Sequence, residues 1–358
     1  MKKFIALLVV LAMVFAVTAC GGSSTTATSS TPAASTSTAA PAATTPAAAP
    51  EDDFEPITII LADPNSETDL GTIYGKKATE RVTELTDGKV TFEYKDAGQL
   101  GSYEETTESM SIGQLEMARL DLSYMGSYSA ESQLLFLPFL TSSYDHFKKI
   151  LDSEYVDNIE ADLAAQNIHV IDYTASGFRS LCTKKLVTKP ADCEGILLRS
   201  PGAQIYIDTL SRLGFSPVTI SFNELYTALQ SGICDGAEPA VVVIHDSELY
   251  KMCPYVLHAN HMFSFTSFCM SQELWDTLPA DIQAAFEQAF AEMRDEEFVA
   301  YEAEEQKYYD RMEADGATIS NWDDWNELVD LFKPYWAETT DKMGGWSADF
   351  VQNCIDLL

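Results

Sequence analysis

Strand-like and helix-like segments alternate along most of this 358-residue chain, and this alternation limits its fold more than any other feature. The apolar run 57–61 is typical of a buried strand, and the amphipathic segment 72–86 is typical of a helix. Residues 90–94 alternate in polarity like a half-buried strand, and the same rhythm returns beyond Gly177. The pattern predicts an α/β protein in which helices flank sheets. The length favours two domains over one.

Three segments carry stronger helix signals. Residues 280–312 contain few helix breakers, which predicts a helix of about 50 Å if straight, long enough to connect two domains. Ser221 and Glu224 have the spacing of a capping box that opens a helix over 222–231. The pattern over 144–166 predicts one further continuous helix.

The N-terminus has the features of an export signal. Two lysines precede an unbroken apolar run over 4–17, which predicts a signal peptide at residues 1–19. The run is too short to span a membrane, which takes about 20 residues. Residues 17–20 resemble a bacterial lipobox, in which the cysteine, here Cys20, is lipidated and becomes the new N-terminus. The alternative is a plain signal peptide with an incidental cysteine.

The segment after Cys20 predicts a tether. Residues 23–50 contain only Ser, Thr, Ala and Pro, so they cannot bury enough apolar surface to order themselves. Residues 20–50 are therefore predicted to form a lipidated cysteine and a disordered tether. The expected product is an exported, extracytoplasmic protein, anchored to the cell membrane by lipid, with a folded body from residue 51.

The charge of the chain excludes one class of partner. It has 22 basic and 55 acidic residues, for a net charge of −33. Without Lys2 and Lys3 the mature chain has 20 basic residues against 55 acidic, for a net charge of −35. No basic stripe is available to replace counterions along a phosphate backbone, so nucleic acid is not an expected partner.

Signatures of catalysis, metal binding and cofactor binding are missing. The motifs GxSxG, HExxH, Walker A and GxGxxG are absent, so neither an enzyme nor a cofactor is expected. His258 and His261 are three residues apart but lack further ligands at a recognisable spacing, so no metal is expected. No cysteine pair has CxxC spacing. The six cysteines after Cys20 can be either buried free thiols or disulfide-bonded, and the sequence leaves both states open: Cys182, Cys193, Cys234, Cys253, Cys269 and Cys354.

Arginine is scarce, and three of the seven arginines are placed unusually. Arg119 interrupts a strand-like run, Arg179 follows Gly177 and Phe178, and Arg199 ends an apolar strand. A buried guanidinium needs an anion, and its planar fork suits a carboxylate. That carboxylate belongs either to a ligand or to an internal acid, and both remain open. Surface ion pairs are expected for the other four: Arg81, Arg212, Arg294 and Arg311.

The segments around these arginines resemble the DctP-type solute receptors of TRAP transporters, the tripartite ATP-independent periplasmic systems. Two segments carry most of the resemblance, 177–199 and 222–238. The remaining motifs follow in the expected order and extend the resemblance over about residues 56–345: 86–90, 98–101, 137–140, His261 and 275–279.

The resemblance implies a two-domain periplasmic-binding-protein-like fold of type II, with a long helix spanning both domains. The expected domains are 51–176 plus 265–304 and 177–264 plus 305–358. Such a receptor captures an organic-acid ligand between its domains and delivers it to membrane permease subunits without chemistry. The alternative is a ligand-sensing lipoprotein that signals to a membrane kinase.

The resemblance also assigns roles to residues. Arg199 matches the arginine that clamps the ligand carboxylate, and Arg179 matches a second ligand-binding arginine. Phe222 matches an aromatic residue that packs on the ligand. Arg119 and Asp121 fall on the strand of the first domain that faces the cleft.

One position departs from the family pattern. Where the family has an asparagine that assists the carboxylate, this chain has Pro239, which offers no side-chain donor. Glu238 or another group is expected to compensate, unless the ligand itself is unusual.

Overall fold

The computed structural model describes residues 54–358, which form two β-sheets flanked by helices. The predicted α/β fold class is thereby confirmed. The predicted signal peptide at 1–19, the lipidation site Cys20 and the tether at 23–50 lie outside the described residues.

The first sheet has five strands in the order β2-β1-β3-β10-β4. Strand β1 pairs in parallel with β2 and β3, whereas β10 is antiparallel to both β3 and β4. The carboxyl ends of β1 and β3 therefore lie at the same edge. The five strands are β1 (Ile57–Ala62), β2 (Val90–Lys95), β3 (Met117–Leu120), β4 (Ile168–Phe178) and β10 (Phe263–Ser271).

The second sheet has six strands in the order β11-β9-β5-β8-β6-β7. Strand β6 is parallel to β7 and β8, so the carboxyl ends of these three strands also share an edge. The six strands are β5 (Leu181–Thr183), β6 (Leu197–Ser200), β7 (Ser216–Thr219), β8 (Gly236–Ala237), β9 (Tyr255–His258) and β11 (Thr318–Asn321).

Eleven α-helices surround the sheets in the described part of the chain. They are α1 (Leu70–Leu85), α2 (Tyr103–Ser111), α3 (Tyr144–Leu151), α4 (Glu154–Ala164), α5 (Gln204–Leu213), α6 (Leu225–Ser231), α7 (Val241–Asp246), α8 (Gln272–Trp275), α9 (Ala280–Ala314), α10 (Trp325–Met343) and α11 (Ser347–Asp356).

Helix α9 is the long helix that the sequence predicts, and its 35 residues extend from the first sheet to the second. Near its start, Phe286 and Phe290 pack into the apolar cluster of the first sheet. Near its end, Tyr309 hydrogen-bonds to the Ser180 hydroxyl and lies 4.3 Å, between ring centroids, from His258 of β9. One continuous helix thus connects the cores beside both sheets.

The chain itself crosses between the sheets at two adjacent points. It leaves β4 through Arg179 and Ser180 to enter β5, and it returns from β9 to β10 through residues 259–262. The two crossing segments are hydrogen-bonded, since the Arg179 backbone N–H donates to the Met262 carbonyl at 2.9 Å. Arg179 therefore lies where the sheets meet.

Helix α1 shows how the sequence places an element close to the first sheet. The Asp69 side chain caps the helix by accepting from the backbone N–H of Thr72 at 3.0 Å. Gly71, Gly75 and Ala78 lie on its buried face, at the spacing of one helical stripe. These small residues let the helix backbone approach side chains of the sheet.

Two predicted helices differ from the observed elements. Residues 144–166 form two helices, α3 and α4, because the backbone of Ser153 is extended and its hydroxyl donates to the Ile150 carbonyl. Residues 222–231 begin as a 3₁₀ turn, Phe222–Glu224, and only then become α6. The Ser221 hydroxyl donates to the Glu224 carboxylate instead of capping a backbone N–H, so the predicted capping box does not form.

Two further observations concern membrane spans and thiols. Within residues 54–358, none of the helices combines the length and apolarity of a membrane span. The six cysteines of the body are all buried free thiols.

Candidate functional site

A cavity of about 350 Å³ opens where the carboxyl ends of the parallel strands of both sheets face each other. Segments after β1 and β3 and the start of α2 line one side, and segments after β6, β7 and β8 line the other. Ligands of α/β proteins bind at the carboxyl ends of parallel strands because the loops there supply polar groups to a crevice. This cavity is the candidate binding site.

Arg199, on β6, forms part of the cavity wall although its side chain is almost fully buried, with 4% exposed. Its Nε donates to the Ile220 carbonyl at 2.8 Å, and the guanidinium carbon lies 6.0 Å from the ring centroid of Phe222. Within the described part of the chain, no carboxylate lies within ion-pair distance of Arg199. Burial lowers its pKa. The terminal nitrogens of this guanidinium are therefore available to an external anion.

Arg179 also lines the cavity, but its guanidinium already has an internal partner. Its Nε donates to Glu238 Oε2 at 2.7 Å, and its Nη2 donates to Oε1 at 2.9 Å, so the ion pair is bidentate. Its Nη1 donates to the Ser264 hydroxyl at 3.3 Å, and its guanidinium carbon lies 4.4 Å from the Tyr206 ring centroid. Arg179 is fixed in place by the protein itself.

Glu238 is buried behind Arg179 and is not among the residues that line the cavity. Its Oε2 also lies 3.3 Å from His261 Nε2. Burial alone would raise the pKa of Glu238, but Arg179 and His261 outweigh it and lower the pKa to about 2. The expected compensation for Pro239 is therefore absent at Glu238, whose carboxylate orients Arg179.

The structure places Arg119 outside the cavity, which differs from the expected orientation towards the cleft. Its side chain is fully buried and forms ion pairs with Asp69 and, at 3.7 Å, with Asp63. Folding brings these acids together because Asp63 follows β1 and Asp69 caps α1, both beside β3. Arg119 reaches the cavity indirectly, since its Nε donates at 2.6 Å to the hydroxyl of Thr266, a lining residue.

Asp121 and Phe222 both line the cavity, from opposite sides. Asp121 caps a 3₁₀ turn by accepting from the backbone N–H of Ser123 at 2.8 Å, and no ion pair to it occurs within residues 54–358. Burial raises the pKa of Asp121, although its hydrogen bonds to Ser123 oppose the shift. Phe222 is 51% exposed, so its ring offers an apolar face.

The sequence reasoning missed most of the lining residues, and three of them lie together beside the first sheet. Tyr103 opens α2 and stacks on Tyr124 with ring centroids 6.2 Å apart, and Glu104 lies beside them. Tyr124 is three residues beyond Asp121. The signal that was available is positional, because these residues follow closely on predicted strands and the carboxyl ends of parallel strands converge.

Ion pairs form at all four arginines expected on the surface, but that of Arg294 joins a half-buried guanidinium to the buried Asp172 and is not a surface pair. The pairs are Arg81 with Glu84 and Glu292, Arg212 with Glu338, Arg294 with Asp172, and Arg311 with Glu304. Among the described residues, no cluster of His, Cys, Asp and Glu side chains is arranged to hold a metal ion.

A fold of two sheets with a cavity between their strand ends is typical of solute-binding receptors, and comparison with known proteins agrees. The chain belongs to the bacterial extracellular solute-binding protein family 7, DctP, whose sequence model matches residues 62–342. The resemblance to DctP-type receptors is thereby confirmed. The family consists of exported binding proteins and not of enzymes.

Two relatives align with this chain over most of their own length. A solute-binding protein of Sulfitobacter sp. (strain NAS-14.1) is 28% identical over 267 residues, which are 72% of this chain and 79% of the relative. The C4-dicarboxylate-binding periplasmic protein DctP of Rhodobacter capsulatus is 25% identical, with 73% of this chain and 78% of the relative aligned.

Solved structures share the fold. A TRAP periplasmic solute-binding protein of Haemophilus influenzae with bound L-gulonate has a TM-score of 0.79 at 23% identity, over 84% of this chain and 99% of that one. A TRAP periplasmic solute-binding protein of Bradyrhizobium sp. in complex with galacturonate has a TM-score of 0.78 at 25% identity, over 84% of this chain and 100% of that one. These similarities support the receptor class and give no support to the sensory alternative.

Proposed function

We propose that this protein is the receptor of a TRAP transporter, and that it captures an organic acid in the cavity and delivers it to membrane permease subunits. The observation that carries the proposal is Arg199, a buried guanidinium at the cavity wall without a carboxylate partner in residues 54–358. Leaving a charge buried and unpaired is costly, so a ligand carboxylate would be strongly favoured there.

The geometry of Arg199 suits this task. Its Nε is held by the Ile220 carbonyl, which fixes the plane of the guanidinium and leaves Nη1 and Nη2 for the ligand. Two parallel N–H donors match the two oxygens of a carboxylate. Phe222, 6.0 Å away, would pack on the bound ligand.

Arg179 has a supporting role in this proposal. Its two hydrogen bonds to Glu238 occupy one edge of the guanidinium. Arg179 would therefore attract the ligand carboxylate mainly through its positive charge, because it has no free pair of parallel N–H donors. Glu238 and Arg119 would act indirectly, the first by orienting Arg179 and the second by positioning Thr266. Asp121 would contact the ligand from the opposite side.

Capture would involve closure of two domains, 51–176 plus 265–304 and 177–264 plus 305–358. The chain crosses between the sheets at residues 179–180 and 259–262 and again through α9, so few backbone torsions need to change. The guanidinium of Arg199, fixed on one domain, would hold the carboxylate while the other domain closes over the ligand.

The receptor would be attached to the membrane through a lipid on Cys20 and the tether over 23–50. Membership of an extracellular solute-binding family supports export. A flexible tether of 28 residues would give the body a reach of roughly 30 Å, enough to remain beside a permease.

Native mass spectrometry of freshly purified protein, followed by thermal unfolding with a panel of organic acids and neutral sugars, tests the proposal. A ligand at 100 times its dissociation constant stabilises the folded state by about 2.7 kcal/mol, which is readily measured. Stabilisation by a carboxylate and not by its neutral amide supports the proposal. No response to any organic acid, together with no co-purified acid, would contradict it.

A further inference from the structure

We infer that the ligand is an amino carboxylate, whose carboxylate pairs with Arg199 and whose ammonium group pairs with Asp121. The inference rests on the proposed carboxylate receptor and specifies the ligand class for the same cavity. It derives from the placement of charged side chains on the two sides of the cavity.

Apart from Arg179, which lies where the sheets meet and is paired with Glu238, the charged side chains that line the cavity are divided between the two sheets. Arg199 belongs to β6 of the second sheet. Asp121 follows β3 of the first sheet, and Glu104 lies in α2, beside that sheet. A ligand that spans the cavity therefore meets a cation at one end and carboxylates at the other. Only a ligand with groups of both signs complements both ends.

Asp121 needs a partner as much as Arg199 does. In residues 54–358 its hydrogen-bond donors belong to Ser123, whose backbone N–H lies 2.8 Å away, and no basic side chain lies within ion-pair distance, although the charge of Arg179 favours its ionised form from farther away. A bound ligand would remove further water from this carboxylate, which penalises its ionised form unless a cation is present. A hydroxyl group would donate a hydrogen bond but would leave the charge uncompensated.

Counting charges leads to the same ligand class. Glu238 neutralises Arg179, which leaves Arg199 against Asp121 and the exposed carboxylate of Glu104, a net charge of −1 when Glu104 is counted. A dicarboxylate would make this −3 and a simple monocarboxylate −2, whereas an amino carboxylate would leave it unchanged. Arg119 cannot offset the excess, because it is already paired with two acids, Asp63 and Asp69.

Aromatic side chains favour an ammonium group at the same end. Tyr103 and Tyr124, which line the cavity on the side of Asp121, stack with ring centroids 6.2 Å apart. The face of an aromatic ring attracts a cation within about 6 Å, most strongly where water is excluded. Each ring can offer a cation only the face that the other ring does not cover, and the first-sheet side of the cavity thus combines a carboxylate with aromatic side chains, which suits an ammonium group.

Isothermal titration calorimetry with matched ligands tests the inference. The amino carboxylates are alanine, 4-aminobutyrate, 6-aminohexanoate and proline, and each is compared with the hydroxy acid and the dicarboxylate of equal carbon number. We expect at least one amino carboxylate to bind about tenfold or more tightly than both of its analogues, since a charged hydrogen bond contributes about that factor.

The outcomes separate this inference from the proposed function. A hydroxy acid or dicarboxylate that binds as tightly as the best amino carboxylate would overturn the inference and leave the carboxylate receptor standing. If none of these carboxylates binds, the inference falls, whereas the carboxylate receptor falls only if the wider panel of organic acids also has no effect and no acid co-purifies.

A pair of substitutions gives an independent test. Asp121→Asn keeps an acceptor for the Ser123 N–H, so the 3₁₀ turn is expected to be retained. It should weaken binding of the amino carboxylate about tenfold or more and change binding of the hydroxy acid less than about threefold. Glu108→Gln is the matched control, because Glu108 is an exposed residue of α2 outside the cavity lining. It should change the affinity neither for the amino carboxylate nor for the hydroxy acid. Equal losses for both ligand classes in Asp121→Asn would overturn the inference.

Discussion

The carboxylate of Glu238 binds the guanidinium of Arg179 through two hydrogen bonds, at 2.7 and 2.9 Å, whereas Arg199 has no carboxylate partner within residues 54–358. Both arginines line the same cavity and both are buried. The difference in pairing means that one guanidinium is part of the scaffold and the other is available to a ligand.

The first prediction concerns Arg199. Arg199→Lys should weaken carboxylate binding about 10- to 100-fold, because an ammonium group cannot reproduce the two parallel donors of the guanidinium. Calorimetry with the ligand identified by mass spectrometry measures the effect. Arg212→Lys, at a surface ion pair with Glu338, is the matched control and should leave affinity unchanged. An unchanged affinity in Arg199→Lys would reject the carboxylate clamp.

The second prediction concerns Glu238 and acid. Glu238→Gln should destabilise the fold by about 3–5 kcal/mol, because it leaves the buried charge of Arg179 unpaired. Urea unfolding at neutral pH measures this loss.

The same carboxylate should contribute to acid unfolding. The folded-state pKa of Glu238, about 2, lies below its ordinary value of 4.5, so its stabilisation is complete above about pH 5 and is lost as the pH falls towards 2. The free energy of unfolding of the Gln variant should fall less steeply across that window. Parallel curves for the two proteins would contradict the assignment.

The third prediction concerns Glu297, whose effect on the pH dependence of stability is opposite to that of Glu238. Burial raises the pKa of Glu297, in α9, to about 8, even though Thr174, Arg119 and the Ala175 N–H favour its ionised form. Between pH 4.5 and 8 the folded state therefore retains a proton that the unfolded state has released. Stability should fall as the pH rises through this range, by up to about 1.4 kcal/mol per pH unit from this group.

Glu297→Gln isolates that contribution. The variant should show a flatter dependence of melting temperature on pH between 5 and 8 than the parent protein. Other acids with raised pKa values, the half-buried Glu160 and Glu305 and the buried Asp172, remain in both proteins and contribute to the residual slope. An unaltered slope would show that Glu297 is ionised in the folded protein.

The fourth prediction concerns the close approach of α1 to Arg119. A Cβ at Gly71 would lie 2.5 Å from Arg119 Cζ and 2.7 Å from Thr174 Oγ1, well inside contact distance. Gly71→Ala should therefore lower the free energy of unfolding by about 1–3 kcal/mol. At Gly202 the nearest atom to an added Cβ is 3.8 Å away, so Gly202→Ala should be nearly neutral for stability. Similar melting temperatures for both variants would contradict this packing.

The fifth prediction concerns the proposed anchor. Cys20→Ser should release the protein from the membrane fraction of the producing cells, because lipidation requires the thiol. Fractionation and metabolic labelling with a fatty acid measure the effect, and Cys354→Ser, at a buried thiol of the body, is the control. Labelling that persists in Cys20→Ser would reject the lipobox assignment.

Local sequence patterns predicted much of the fold. The α/β class follows from alternating polarity, and the near absence of breakers over 280–312 predicts α9, observed as Ala280–Ala314. The errors lie where side chains compete with the backbone. Ser153 divides the predicted helix over 144–166, and Ser221 pairs with the Glu224 carboxylate instead of capping the next helix.

The sequence by itself determined the family, the strand-end position of Arg199 and the scarcity of arginine in an acidic chain. Only the tertiary structure decided which arginines are free. The acids that pair with Arg119 and Arg179 lie 50 and 59 residues away along the chain, at Asp69 and Glu238. With 55 acidic residues, any of these arginines had candidate partners. Ion pairing depends on distances of a few ångströms, and the order of strands in the sheets sets those distances.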